Sequence, residues 1–344
     1  MTVIIGVMLH AVGASFASLC YTPEKKVVGW SWQTYWLAQA FVCWLILPLL
    51  VAWFTIPQLM TVLQVAPSEA MWKSFLLGMA YGVGGTAFGL AIRYMGFSLT
   101  YAISIGISCI IGTLLPPFVK GELYEVFARP GAEWIALGMF LGVIGIALCG
   151  KAGREKEMNM EVQGLKTGST FSIKKGLPLC LLAGVLSALY GFSIDQGQPI
   201  ADVALEYGAG NYQSNVIYIF SNTGAFVTTF FYCFYLHFKE KTFSEFKISS
   251  PGFLKRNYAL AALTGVLWYA QFFFYGLGHV RMGDYKFTSW AVHMIMLVMF
   301  STLAGVMMGE WSMAKRKTIN YLVFAMFTLL LAVLLLTFGN YLAE

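Results

Sequence analysis

The sequence predicts an all-α polytopic membrane protein: ten transmembrane helices arranged as two inverted-topology repeats of five. Three observations predict it. Ten apolar stretches approach or exceed the roughly 20 residues that span a bilayer. The chain is 58% hydrophobic and 11% charged, with a mean hydropathy of +0.70, whereas soluble domains carry about 25% charged residues. The second five stretches also echo the first. Gly78, Gly89, Leu90, Met95 and Gly96 recur 187 positions later as Gly265, Gly276, Leu277, Met282 and Gly283. One inserted residue further on, Gly121-Glu122 recurs as Gly309-Glu310. The first and sixth stretches match more weakly, through Gly13 with Gly184 and Ala17 with Ala188. Five is odd, so the second copy starts on the opposite side of the membrane. Secondary transporters build two gates around one central site in this way.

The first repeat, 1–150, has spans near 3–20, 34–54, 74–93, 98–118 and 133–150. A basic linker, 151–176, follows, and the second repeat, 177–344, has spans near 177–197, 213–237, 258–279, 287–308 and 318–340. The first span is not read as a cleaved signal, because no basic region precedes it and its Gly, Ala and Ser content suits a packed helix. One face of it carries Gly6, His10, Gly13 and Ala17. The third carries a stripe of Gly78, Gly82, Gly85, Gly89 and Gly96, read as a packing seam because small residues let helices approach. The fourth presents Tyr101, Ser104, Ser108 and Gly112, and the sixth Gly184, Ser187, Gly191 and Asp195. In the eighth, Trp268, Gln271, Tyr275 and His279 fall within about 80° of arc at about 100° per residue. The ninth adds Trp290 and His293, one turn apart. A glutamine at mid-membrane depth needs a partner or water, so the eighth-span face is the leading candidate for a ligand site.

Charge sets the expected orientation. Of the 22 Lys and Arg, 17 lie in the loops after spans 1, 3, 5, 7 and 9, and 5 (Lys73, Lys120, Arg129, Arg281, Lys286) lie on the other side. The positive-inside rule makes the richer side cytoplasmic and both termini external. The net charge of +6 follows from this bias and needs no nucleic-acid partner. The six cysteines, Cys20, Cys43, Cys109, Cys149, Cys180 and Cys233, lie in or at the ends of spans without a C-x-x-C pair. They read as small buried hydrophobes, not as disulfides or metal ligands, and no cofactor is expected.

Absences narrow the ligand. No Lys or Arg lies deep in a span, whereas a phosphorylated sugar or nucleotide calls for buried bidentate cations. No carboxylate lies in the middle of the first span, as a pump for lipophilic cations would need. A neutral, polyhydroxylated ligand fits: Gln, His, Ser and Tyr can meet hydroxyls, and Trp or Tyr can meet a pyranose's apolar face. Gly82-Val83-Gly84-Gly85 lies within a span and is no phosphate loop, so any coupling draws on an ion gradient. His10, His293 and Asp195 are the titratable groups best placed within spans, while Glu122 and Glu310 at helix ends read as structural. His279 and Asp284 match the H-x4-D spacing of glycerolipid acyltransferases, but they fall on the expected exterior, away from acyl donors, and the chain is not read as an enzyme.

The chain resembles the bacterial L-rhamnose–proton symporters, a branch of the drug/metabolite transporter superfamily, over nearly its whole length. The carrying segments are His10-Ala11-Val12-Gly13-Ala14, Tyr21-Thr22-Pro23-Glu24-Lys25-Lys26, Trp30-Ser31-Trp32 and Arg93-Tyr94-Met95-Gly96. Further on come Trp268-Tyr269-Ala270-Gln271-Phe272-Phe273-Phe274-Tyr275, Gly278-His279, Ser289-Trp290-Ala291-Val292-His293-Met294 and Glu310-Trp311. The chain departs from the enterobacterial pattern at Gly84 and Gly85, at Asp195, and in the seventh span with Asn215, Asn222 and Thr223. The resemblance implies ten helices in two inverted halves and inward movement of L-rhamnose with a proton across the bacterial inner membrane. The expected sugar ligands are His10, Trp268, Tyr269, Gln271, Tyr275, Trp290 and His293. The expected proton carriers are Asp195, His10 and His293. Export of a small metabolite, or a membrane sensor or scaffold, are the alternatives, since a fold does not fix a function.

Overall fold

The computed structural model describes residues 1–162, 172–247 and 252–343. Among these the secondary structure is helical, without a strand, and ten helices are long and apolar enough to cross a membrane. They are α1 (Thr2–Leu19), α2 (Trp32–Thr55), α3 (Ser68–Met95), α4 (Phe97–Lys120), α5 (Ala132–Val162), α6 (Ile173–Gln196), α7 (Asn215–Glu240), α8 (Phe253–His279), α9 (Ser289–Met307) and α10 (Arg316–Leu342). Each covers one expected stretch. The third helix begins earlier than hydropathy alone indicates, and α5 runs on past Gly150 to Val162. The Lys, Arg, Glu and Met residues after Gly150 are good helix formers although they are not apolar. Of the expected linker, 163–171 lies outside the described residues.

The chain divides into two compact units, each drawn from both halves of the sequence. The first comprises Met1–Ser15, Gly84–Phe192 and Gly278–Glu344. Its most extensive packing joins α5 to α10, along a seam of Gly138 and Gly145. A Cβ at Gly138 would come within 3.0 Å of the Ala332 carbonyl oxygen, and one at Gly145 within 2.6 Å of the Leu329 side chain. Without the glycines these backbones could not approach so closely. At one end of this unit Lys156 Nζ lies 3.8 Å from Glu310 and 4.5 Å from the centre of the Trp311 ring. Glu310 is thus part of a surface contact, as its place at a helix end suggested.

The second unit comprises Phe16–Val83 and Ser193–Leu277. Here α3 and α7 interlock: a Cβ at Gly78 or Gly82 would strike the Ser221 or Ala225 backbone, and one at Gly224 the Phe75 carbonyl. Gly78 and Gly82 therefore form the expected seam. Gly85 faces open space, and Gly96, with φ +76°, is the turn between α3 and α4. The entry to α2 is held by Glu245, whose carboxylate accepts from Ser31 N and Ser31 Oγ at 2.7 Å each and from Thr34 Oγ1 at 2.5 Å. Midway, α2 widens into a π-turn over Phe41–Ile46, where Leu47 N donates to Val42 O. Pro48 follows immediately. Proline offers no N–H and its ring crowds the carbonyl four residues back, here that of Trp44, so a wider turn just before it relieves the clash.

Candidate functional site

The expected ligand residues fall into two groups, one in each unit. In the first unit His10 and His293 are fully or almost fully buried, and their rings meet edge to face with centres 6.0 Å apart. Gly278 makes room for His10: a Cβ there would lie 2.9 Å from His10 Nε2. The Trp290 indole lies against Gly112 of α4 and Gly191 of α6, where a Cβ on either would press into the ring. Its Nε1–H donates to Ser108 O at 3.0 Å and Ser108 Oγ at 3.2 Å, and Ser108 Oγ donates in turn to Ser187 Oγ at 3.1 Å. Trp290 spends its polar atom inside the protein, so what it can offer a ligand is a ring face. The faces read from the sequence on α4 (Ser104, Ser108, Gly112) and α6 (Gly184, Ser187, Gly191) thus meet one another and α9.

In the second unit Trp268, Tyr269, Gln271 and Tyr275 of α8 are all buried. Trp268 is the centre of an aromatic cluster, with Tyr21 at 5.3 Å, Trp36 at 5.5 Å and Trp44 at 5.6 Å between ring centres, each near-perpendicular. Tyr81 packs edge-on to Trp44 at 6.1 Å, and Tyr269 edge-on to Tyr218 at 6.4 Å. Gly265, one turn before Trp268, brings α2 against α8, where a Cβ would sit 2.8 Å from Val42 and 3.0 Å from Gln39 O. Asp195, one residue from the end of α6, is half-buried and accepts from Gln196 Nε2 at 3.2 Å. His279 ends α8 with Nδ1 3.1 Å from Ser289 Oγ. All six cysteines are buried and free.

Sequence reasoning missed Tyr21, Trp36, Trp44 and Tyr81 as members of the aromatic group, and the buried amide of Gln39 beside them in the sequence of α2. The available signal was Gln39, an amide inside an apolar run, as Gln271 is. Donors, acceptors and ring faces buried within each unit suit a neutral ligand with both hydroxyls and an apolar face.

Ten membrane-length helices, with polar and aromatic side chains buried within each unit, define a polytopic membrane protein. A family model described as L-rhamnose-proton symport protein (RhaT) matches residues 1–341. The chain is similar to the L-rhamnose-proton symporter of Cronobacter sakazakii, with 34% identity over 322 residues and 92% of each chain covered. It is similar also to those of Yersinia pestis and Yersinia pseudotuberculosis, with 33% identity over 335 residues and 96% of each chain covered. The chain belongs to the L-rhamnose-proton symport protein family, the family its motifs resemble, and is a multi-pass inner-membrane protein.

Proposed function

We propose that the protein imports a neutral sugar, L-rhamnose or a close deoxysugar, together with a proton. Two inverted repeats of five helices alternate access to the sugar. The observation that carries this reading is the family match along residues 1–341. The chemistry of the buried side chains agrees with it, since amide, hydroxyl, imidazole and indole groups suit an uncharged polyol. His10, Trp268, Tyr269, Gln271, Tyr275, Trp290 and His293 are the sugar ligands in this reading. Asp195, His10 or His293 carries the proton, and both termini are periplasmic.

Purified protein in liposomes tests this. L-rhamnose should accumulate only when an inward proton gradient is imposed. Equal uptake with and without the gradient sinks the symport, and absence of L-rhamnose uptake under the gradient sinks the substrate.

A further inference from the structure

We propose that the π-turn of α2 builds part of the sugar site, in which Gln39 and Trp44, together with Trp268 and Tyr269 of α8, hydrogen-bond sugar hydroxyls. This rests on the reading of the protein as a sugar transporter and adds Gln39 and Trp44 to the binding set.

Four side chains of the second unit carry the inference. Gln39 Nε2 and Oε1, Trp44 Nε1, Trp268 Nε1 and Tyr269 OH are buried and make no hydrogen bond among the described residues. Exposure is 0% for Gln39, 1% for Trp44, 6% for Trp268 and 3% for Tyr269. A buried donor or acceptor left unmade is costly, more so at membrane depth where water does not reach. Most buried polar groups in proteins are paired, and those that are not call for a ligand or a function. Four such side chains within two touching helices are a set of hydrogen-bonding groups held ready for a polyol.

The backbone supports the same assignment. In a regular α-helix residues five apart diverge by about 140°. The i→i+5 bonding of a π-turn reduces that divergence, which carries Trp44 back towards the face of Gln39. Single π-turns inside helices concentrate at functional sites. The turn is pressed onto α8 at Gly265, one turn before Trp268 and Tyr269, so the four side chains belong to one stretch of one helix pair. The indole rings of Trp44 and Trp268, 5.6 Å apart and crossed at 78°, put two N–H donors beside apolar ring faces. Such a pairing suits the hydroxyl edge and the C–H face of a pyranose.

The test uses the full-length protein in detergent without a proton gradient. Affinity for L-rhamnose is read by titration calorimetry, and the melting temperature is measured without sugar. Gln39→Leu removes the amide, and Trp44→Phe keeps a ring while removing the N–H. Each should weaken L-rhamnose binding by about 5- to 150-fold, and Gln39→Leu should leave the sugar-free melting temperature unchanged or higher, because an unmade hydrogen-bonding group has been replaced by an apolar one of similar size. A monodeoxy analogue of L-rhamnose lacking the hydroxyl met by Gln39 should bind wild type and Gln39→Leu equally. Wild-type affinity in both variants overturns the inference while the sugar-transport reading stands. Failure of the wild type to bind L-rhamnose overturns both. If Gln39→Leu does not fold, Trp44→Phe and the analogue panel decide: undiminished binding in Trp44→Phe overturns the proposal.

Discussion

Gln271 shows what one polar side chain in an apolar helix can disclose. It sits with Trp268 and Tyr275 at helical spacing, and all three are buried. Their shared face was legible because the period of α8 is regular. The π-turn between Gln39 and Trp44 was not, because it leaves no trace in a 3.6-residue period. Nor did the sequence indicate that Trp290 Nε1 is committed to Ser108. Replacing Gln271 with Ala should remove a hydrogen bond to a sugar hydroxyl, worth about 1–3 kcal/mol. Equilibrium titration should then show roughly 5- to 150-fold weaker L-rhamnose binding. Wild-type affinity would mean that this amide serves the helix packing and not the sugar.

At the level of the helix, hydropathy located all ten membrane helices but not their soluble extensions, since α5 continues through charged residues that no apolar window detects. Glycine spacing was informative where it marks contact. Gly78 and Gly82 lie on the α3–α7 seam, with Gly224 facing them from α7. The seam has no spare volume at Gly224, where the added atom would meet the Phe75 and Met79 backbone and not the flexible end of a side chain. Gly224→Leu should therefore lower stability by about 1–3 kcal/mol or more through overpacking, read as a lower melting temperature in detergent. Gly85→Ala, with open space at the added atom, is the control for a glycine off the seam and should melt no lower than wild type. If both variants melt alike, contact along the seam does not set the stability of this helix pair.

The 17 basic residues in the loops after spans 1, 3, 5, 7 and 9 lead us to expect a cytoplasmic 151–176 segment and periplasmic termini. Cysteines introduced at the C-terminus should react with an impermeant reagent in intact cells, and cysteines in 151–176 only after the membrane is opened. The reverse pattern would invert the assignment. Asp195 bears on coupling because a symporter's proton must ride on a group whose affinity changes with the gates. Asp195→Asn should leave sugar binding and sugar exchange intact while abolishing accumulation driven by the proton gradient. Retained accumulation would move the proton to His10 or His293, and loss of exchange in a folded variant would make Asp195 a sugar ligand.

The aromatic cluster around Trp268 has an optical consequence. Four of the ten tryptophans, Trp32, Trp36, Trp44 and Trp268, form a connected group, with Trp32 stacked on Trp36 at 5.1 Å and Trp36, Trp44 and Trp268 mutually 5.5–6.4 Å apart. Indoles so close and so differently oriented couple their electronic transitions, and light absorbed by one is shared with the others. Near-ultraviolet circular dichroism should carry a strong coupled band from this group. A sugar seated against Trp44 and Trp268 would perturb that band, so the unlabelled protein would report its own occupancy.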